Sequence, residues 1–94
     1  MRITVLLPGV LRPAAGNQST LELEVQEQAT LGAVLDELAG RYPLLDRRLR
    51  DERSSLRRYV NFYVDGEECR RLDGPATVLR PDTEIQILPS VAGG

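Results

Sequence analysis

Thr20-Leu21-Glu22-Leu23-Glu24-Val25, followed after four residues by Thr30-Leu31-Gly32-Ala33-Val34-Leu35-Asp36-Glu37-Leu38, is where the hydrophobic period of this chain changes. Leu21, Leu23 and Val25 alternate with Glu22 and Glu24, the period of two of a half-buried strand. Leu31, Val34, Leu35 and Leu38 recur at i, i+3, i+4 and i+7, the stripe of a helix facing a core. Thr30 stands where a side-chain oxygen can cap the first turn, and Gly40 and Pro43 end the helix. Gly32 works against it, since glycine costs about 1 kcal/mol relative to alanine inside a helix. A strand that hands over to a core-facing helix needs a sheet beneath that helix, and the flanking sequence supplies one.

Upstream, Ile3, Val5 and Leu7 alternate through Arg2–Leu7. Pro8, Gly9, Pro13, Gly16 and Asn17 then break the pattern, so this segment and 20–25 form a hairpin with a wide loop. Downstream, Leu45 and Leu49 predict a short second helix within 44–50, and 51–58 reads as a charged connection. Val60, Phe62 and Val64 alternate with Asn61 and Tyr63. Asp65-Gly66 signals a two-residue hairpin turn, because both of its central positions need positive φ. Glu67–Arg71 is the expected return strand, with turns at 72–75 and 80–83. Glu84–Leu88 is the last strand, with Ile85 and Ile87 inward. The order β-β-α-β-β-β predicts an α+β fold of the β-grasp type, one main helix packed across a mixed five-stranded sheet. Its first and last strands run parallel at the centre, as a right-handed crossover allows. Residues 1–88 are the expected domain and 89–94 a flexible tail.

Ninety-four residues suit one domain, and the inventory of side chains is narrow. There is no His, Lys or Trp, all 12 basic residues are Arg, and Cys69 is the single cysteine. Those absences exclude a Ser-His-Asp triad, a Cys-His dyad, a His-containing zinc site, an internal disulfide and a CxxC motif. No apolar run approaches the ~20 residues of a membrane span, and the start is too short for a secretory signal, so the expectation is a cytoplasmic chain complete from Met1. A net charge of -2 argues against nucleic-acid and anionic-membrane partners. Six arginines between Arg47 and Arg58, set against Asp51 and Glu52, form a local exception. They read as a solvated, mobile face, with a docking patch for an acidic partner as the alternative. Cys69, with no His or Lys to lower its pKa and with Glu67 and Glu68 beside it, reads as a small packed strand residue rather than a reactive thiol.

The chain closes on Pro89-Ser90-Val91-Ala92-Gly93-Gly94. Last residues are commonly small and unstructured. Six residues can also reach about 20 Å, far enough to enter a neighbouring enzyme's active site. Gly93 and Gly94 suit passage through a narrow channel because they lack side chains. The functional atom is then the α-carboxylate of Gly94, a poor electrophile that a partner must activate with ATP as an acyl-adenylate. Sulfur transfer to it yields a thiocarboxylate. At the root of the tail, parallel first and last strands bring Leu6 and Leu88 together on the face away from the helix, with Tyr63 from the neighbouring strand. These three form a candidate partner face. The lack of lysine also means that no side-chain amine is present to intercept the activated C-terminus.

The β-grasp order ending in Gly93-Gly94 resembles the ubiquitin-like sulfur carrier family, the ThiS/MoaD-like proteins, over essentially the whole chain. Leu11-Arg12-Pro13, Val60-Asn61, Tyr63-Val64, Ile87-Leu88-Pro89 and Val91-Ala92-Gly93-Gly94 are most similar to the actinobacterial carriers of cysteine biosynthesis, from which Ser90 and Asp65-Gly66 depart. The resemblance implies a protein co-substrate rather than an enzyme. An E1-like adenylyltransferase and sulfurtransferase acts on Gly94, while Gly93, Ala92 and Val91 thread into partner active sites. A pyridoxal-phosphate-dependent (PLP) cysteine synthase accepts the sulfur, and a JAMM-type zinc metalloprotease releases the product. ATP and PLP belong to those partners, and the carrier itself holds no cofactor or metal. Alternatives are the small subunit of molybdopterin synthase, a carrier for a thio-containing natural product, a modifier joined to lysines of other proteins, and a plain interaction module.

Overall fold

The computed structural model describes residues 1–89. The strands are β1 (Arg2–Leu6), β2 (Thr20–Glu24), β3 (Val60–Val64), β4 (Glu67–Glu68) and β5 (Glu84–Pro89), and the helices are α1 (Leu31–Arg41) and α2 (Pro43–Leu49). They form one five-stranded sheet in the order β2-β1-β5-β3-β4. Strands β1 and β5 are parallel, Val5 opposite Ile85 and Leu6 opposite Gln86, while β1–β2, β3–β5 and β3–β4 are antiparallel. This is the expected ubiquitin-like β-grasp, with the first and last strands side by side at its centre.

Alternation along each strand decides which face is covered. Ile3, Val5, Phe62, Ile85 and Ile87 are fully buried and share one core with Leu31, Val34, Leu35 and Leu38 of α1. The Thr30 hydroxyl accepts from the Ala33 amide at 3.1 Å, the predicted cap. Gly32 has a tertiary reason. A Cβ there would stand 3.2 Å from the Pro75 carbonyl oxygen, so any larger residue would require the tight turn Gly74–Ala76 to shift by a few tenths of an ångström away from α1. Pro43 serves two elements: α1 stops at Arg41, and Pro43 opens α2, whose Leu45 and Leu49 complete the core. Asp65 and Gly66 both have positive φ, 48° and 88°, as their turn requires.

Three expectations need correction. The wide loop after β1 contains a 3-10 helix, Gly9–Ala15, that buries Leu11 and Ala15 and ends at Gly16 in the left-handed region. The return strand Glu67–Arg71 keeps only two residues, after which Cys69–Arg71 forms a 3-10 turn. The Glu68 carboxylate accepts from the Arg70 amide, and the Arg70 guanidinium reaches the carbonyls of Arg57 and Val60, so local bonds replace the ladder. Cys69 is buried, as expected, but in that turn rather than in a strand. Lastly, Arg47–Arg58 is not uniformly a solvated face. Arg50 is buried and donates to Asp46 and Asp36, each at 2.8 Å, tying the end of α2 to α1. Its burial alone would lower the guanidinium pKa, and the two carboxylates outweigh that and raise it. Arg57 donates to the Arg47 carbonyl at 2.7 Å.

Candidate functional site

Strand β5 leads to the C-terminal segment. Val91, Ala92, Gly93 and Gly94, proposed for threading and attachment, lie outside the described residues, as does Ser90. The structure does show the ground from which that segment departs. Pro89 lies opposite Val60 and Leu88 opposite Asn61, so β5 runs one residue past the expected boundary at Leu88. Because β1 runs parallel to β5, its last residue, Leu6, and Leu7 after it lie at the same end of the sheet.

On the face away from α1, the register sets Thr20, Leu6, Gln86, Tyr63 and Glu68 in one row across the five strands. Leu88 lies two residues further along β5. Leu6 and Leu88 line one recess of about 370 Å³ together with Pro8, Arg12 and Gln86. Tyr63 stands across Gln86 and does not line it. The sheet thus brings Leu6 and Leu88 together as expected and holds Tyr63 one strand away. All three are half-buried rather than fully exposed.

Arg12 is the member of this site that sequence periodicity missed. Its Nε donates to the Leu7 carbonyl at 3.1 Å, which fixes the guanidinium just past the end of β1 and in the recess that Leu88 lines. A side chain reaching a carbonyl five residues back obeys neither a strand nor a helix period. The only available signal was the Leu11-Arg12-Pro13 segment.

Cys69 offers no nucleophile here. Burial and the neighbouring Glu68 push its thiol pKa up, away from the thiolate that sulfur chemistry needs. Among the described residues, no group of three or more His, Cys, Asp or Glu is placed to hold a metal ion. None of their helices is long and apolar enough to cross a membrane. The described part of the site is a part-apolar recess at the end of the sheet where β5 finishes, lined by Leu6, Leu88 and Arg12.

Known proteins share this architecture throughout its length. The sulfur carrier protein CysO of Mycobacterium tuberculosis is 40% identical over 96 residues, covering 100% of both chains. Its crystal structure superposes with a TM-score of 0.84 at 37% identity, covering 95% of this chain and 99% of that one. A chain of the Amycolatopsis orientalis BexX/CysO complex gives a TM-score of 0.85 at 32% identity, with 98% and 99% coverage. Small archaeal modifier protein 3 of Haloferax volcanii is 35% identical over 82% of this chain and 83% of its own. The sequence profile of the ThiS family matches residues 5–94, from within β1 to the final glycine. With nearly every residue inside that match and the β-grasp sheet to go with it, the chain belongs to the ThiS family.

Proposed function

We propose that this chain is a sulfur carrier whose reactive group is the α-carboxylate of Gly94. Supporting this is its identity with CysO over the full length of both chains. A carboxylate oxygen of Gly94 attacks the α-phosphorus of ATP in an adenylating partner, and pyrophosphate leaves. A persulfide donor then attacks the acyl carbon, and AMP departs with the oxygen. A second thiol cleaves the resulting acyl disulfide, leaving a thiocarboxylate on Gly94 and a disulfide on the donor. Leu6, Leu88 and Arg12 hold the globule against the partner while Val91, Ala92 and Gly93 occupy its channel.

Cysteine is the product we assign, on the segments shared with the actinobacterial carriers. A PLP-dependent synthase then supplies the acceptor, and a JAMM-type protease frees the amino acid from the carrier in the cytoplasm. Intact mass after co-expression with the E1-like enzyme and sulfur donor of the same organism tests the reading. Replacement of one oxygen by sulfur adds ~16 Da, and deletion of Gly93 and Gly94 removes that gain. An unchanged mass under conditions that load a known carrier refutes it. The likeness to Haloferax modifier protein 3 favours one second reading, attachment to lysines of other proteins. Higher-mass conjugates that disappear when both glycines are deleted distinguish it.

A further inference from the structure

The domain is acidic in sum, yet its charge is divided along the strands. At the end where β5 finishes, Arg12 lines the recess with Leu6 and Leu88. On the other flank Arg57 and Arg58 stand three and two residues before Val60, the first residue of β3, which lies opposite Pro89. The Arg70 guanidinium reaches the Val60 carbonyl at 3.2 Å. Of the nearby carboxylates, Glu68 pairs with Arg70 at 2.9 Å, while Asp51, which accepts the amides of Arg53 and Ser55, and Glu52 stay exposed on the 51–55 turn. Arg12 and Arg58 form no ion pair with any described residue and are exposed.

The opposite end of the sheet reverses the sign. Glu24 ends β2 beside Arg2, Asp82 donates its amide to the Arg2 carbonyl, and Glu84 starts β5. Asp65, Glu67 and Asp73 line one recess there. Against these six carboxylates stand Arg2, Arg80, the α-amine and Arg71, which shares a recess with Gly66 and Glu67. The two ends are separated by the length of β5, six residues at about 3.3 Å each or roughly 20 Å, about twice the roughly 10 Å Debye length at 0.1 M salt. A partner at one end therefore responds more to that end than to the net charge of -2.

We propose that the arginine collar, centred on Arg12 and Arg58, is an electrostatic docking surface for a carboxylate-lined channel mouth on the adenylating enzyme. The inference rests on the carrier reading and adds to it the partner's surface chemistry and the orientation of approach. An acidic chain delivering an anionic terminus to an acidic mouth would otherwise be repelled. The collar turns the correct end forward, and the acidic end disfavours the reverse encounter. Such steering acts on association, so it appears in kcat/KM and in salt dependence more than in kcat.

Pyrophosphate release from ATP by the E1-like enzyme of the same organism, with the full-length chain as substrate, tests the proposal. Wild-type kcat/KM should fall about tenfold or more between low salt and 0.5 M NaCl, roughly the lower range of steered association. Arg12→Glu/Arg58→Glu should lose about tenfold or more at low salt with kcat little changed, and should lose most of its salt dependence. Arg2→Glu/Arg80→Glu, which makes the same change in net charge at the other end, should lose clearly less than the collar variant when both are compared at 0.1 M salt. Circular dichroism melts establish that each variant is folded. A folded collar variant with wild-type kcat/KM, or equal losses in both double variants, overturns the collar while leaving the carrier reading intact. No pyrophosphate release from the wild-type chain by an enzyme that turns over a known carrier overturns the carrier reading and the collar with it.

Discussion

The two faces of the sheet come from the same strands and do opposite work. On the covered face, Ile3, Val5, Phe62, Ile85 and Ile87 have 0% exposure against α1 and its neighbours. On the open face, the intervening positions hold Leu6, Tyr63 and Leu88 half-buried, interleaved with Thr4, Gln86 and Asn61. One face is completed within the chain. The other combines part-apolar patches with fixed hydrogen-bonding groups, a composition suited to a surface that is covered transiently. On the proposed carrier reading, alternation along β1, β3 and β5 separates stability from docking, and single substitutions should affect one without the other.

The largest expected effect lies on the covered face. Phe62→Ala should cost about 3–5 kcal/mol in urea unfolding, the usual range for emptying a buried aromatic site. That is a large share of the 5–15 kcal/mol available to a typical domain. A loss below about 1 kcal/mol would mean that the core closes around the gap, and the contrast between the faces would weaken.

Next comes Leu88→Asp on the open face. It should lower stability by no more than about 1 kcal/mol, since Leu88 is only half-buried, and lower adenylation of Gly94 by about tenfold or more. A folded variant adenylated at the wild-type rate would place the docking face elsewhere.

Cys69→Ser should have the smallest effect on function. The thiol is buried with a raised pKa, so it should resist a thiol reagent at neutral pH in the native state and react on unfolding. Sulfur acceptance should be unchanged and stability lowered by about 1 kcal/mol. The pH dependence follows from the sign of the shift. A pKa higher in the folded state means that the thiol's contribution is present below the unfolded value of about 8.5 and is lost as pH rises through the folded value. A Cys69→Ser chain that no longer accepts sulfur would make this residue part of the chemistry and break the separation of faces from a third side.

Much of this division was legible in the chain. Period two at Ile3, Val5, Phe62, Ile85 and Ile87 named the covered face, and the i, i+3, i+4 stripe of α1 named what covers it. The adjacency of Leu6 and Leu88 followed from placing the first and last strands in parallel. Less legible were segments in which side chains or local backbone bonds, rather than a repeating ladder, satisfy the backbone. Glu68 and Arg70 turn the expected return strand into a 3-10 turn, and the 3-10 helix after β1 closes on local backbone bonds, the Leu11 amide to the Pro8 carbonyl and the Gly16 amide to the Arg12 carbonyl. Hydrogen bonds of that kind have no period to detect.

Arginine shows where the boundary falls. By itself the sequence determined that every basic residue is Arg, that half of them cluster between 47 and 58, and that the chain closes on Gly93-Gly94. Periodicity likewise determined the strands, the main helix and the buried face, because burying apolar side chains on a regular backbone imposes its period on the residues. Only the tertiary structure decided which arginines are structural and which are free. Arg50 is clamped between Asp36 and Asp46, Arg57 and Arg70 brace backbone carbonyls, Arg12 donates to the Leu7 carbonyl yet stays exposed and without an ion pair among the described residues, and Arg58 is exposed with neither. Those fates depend on which carboxylates and carbonyls the fold brings within about 3 Å, and that is a property of distance in space, not of spacing along the chain.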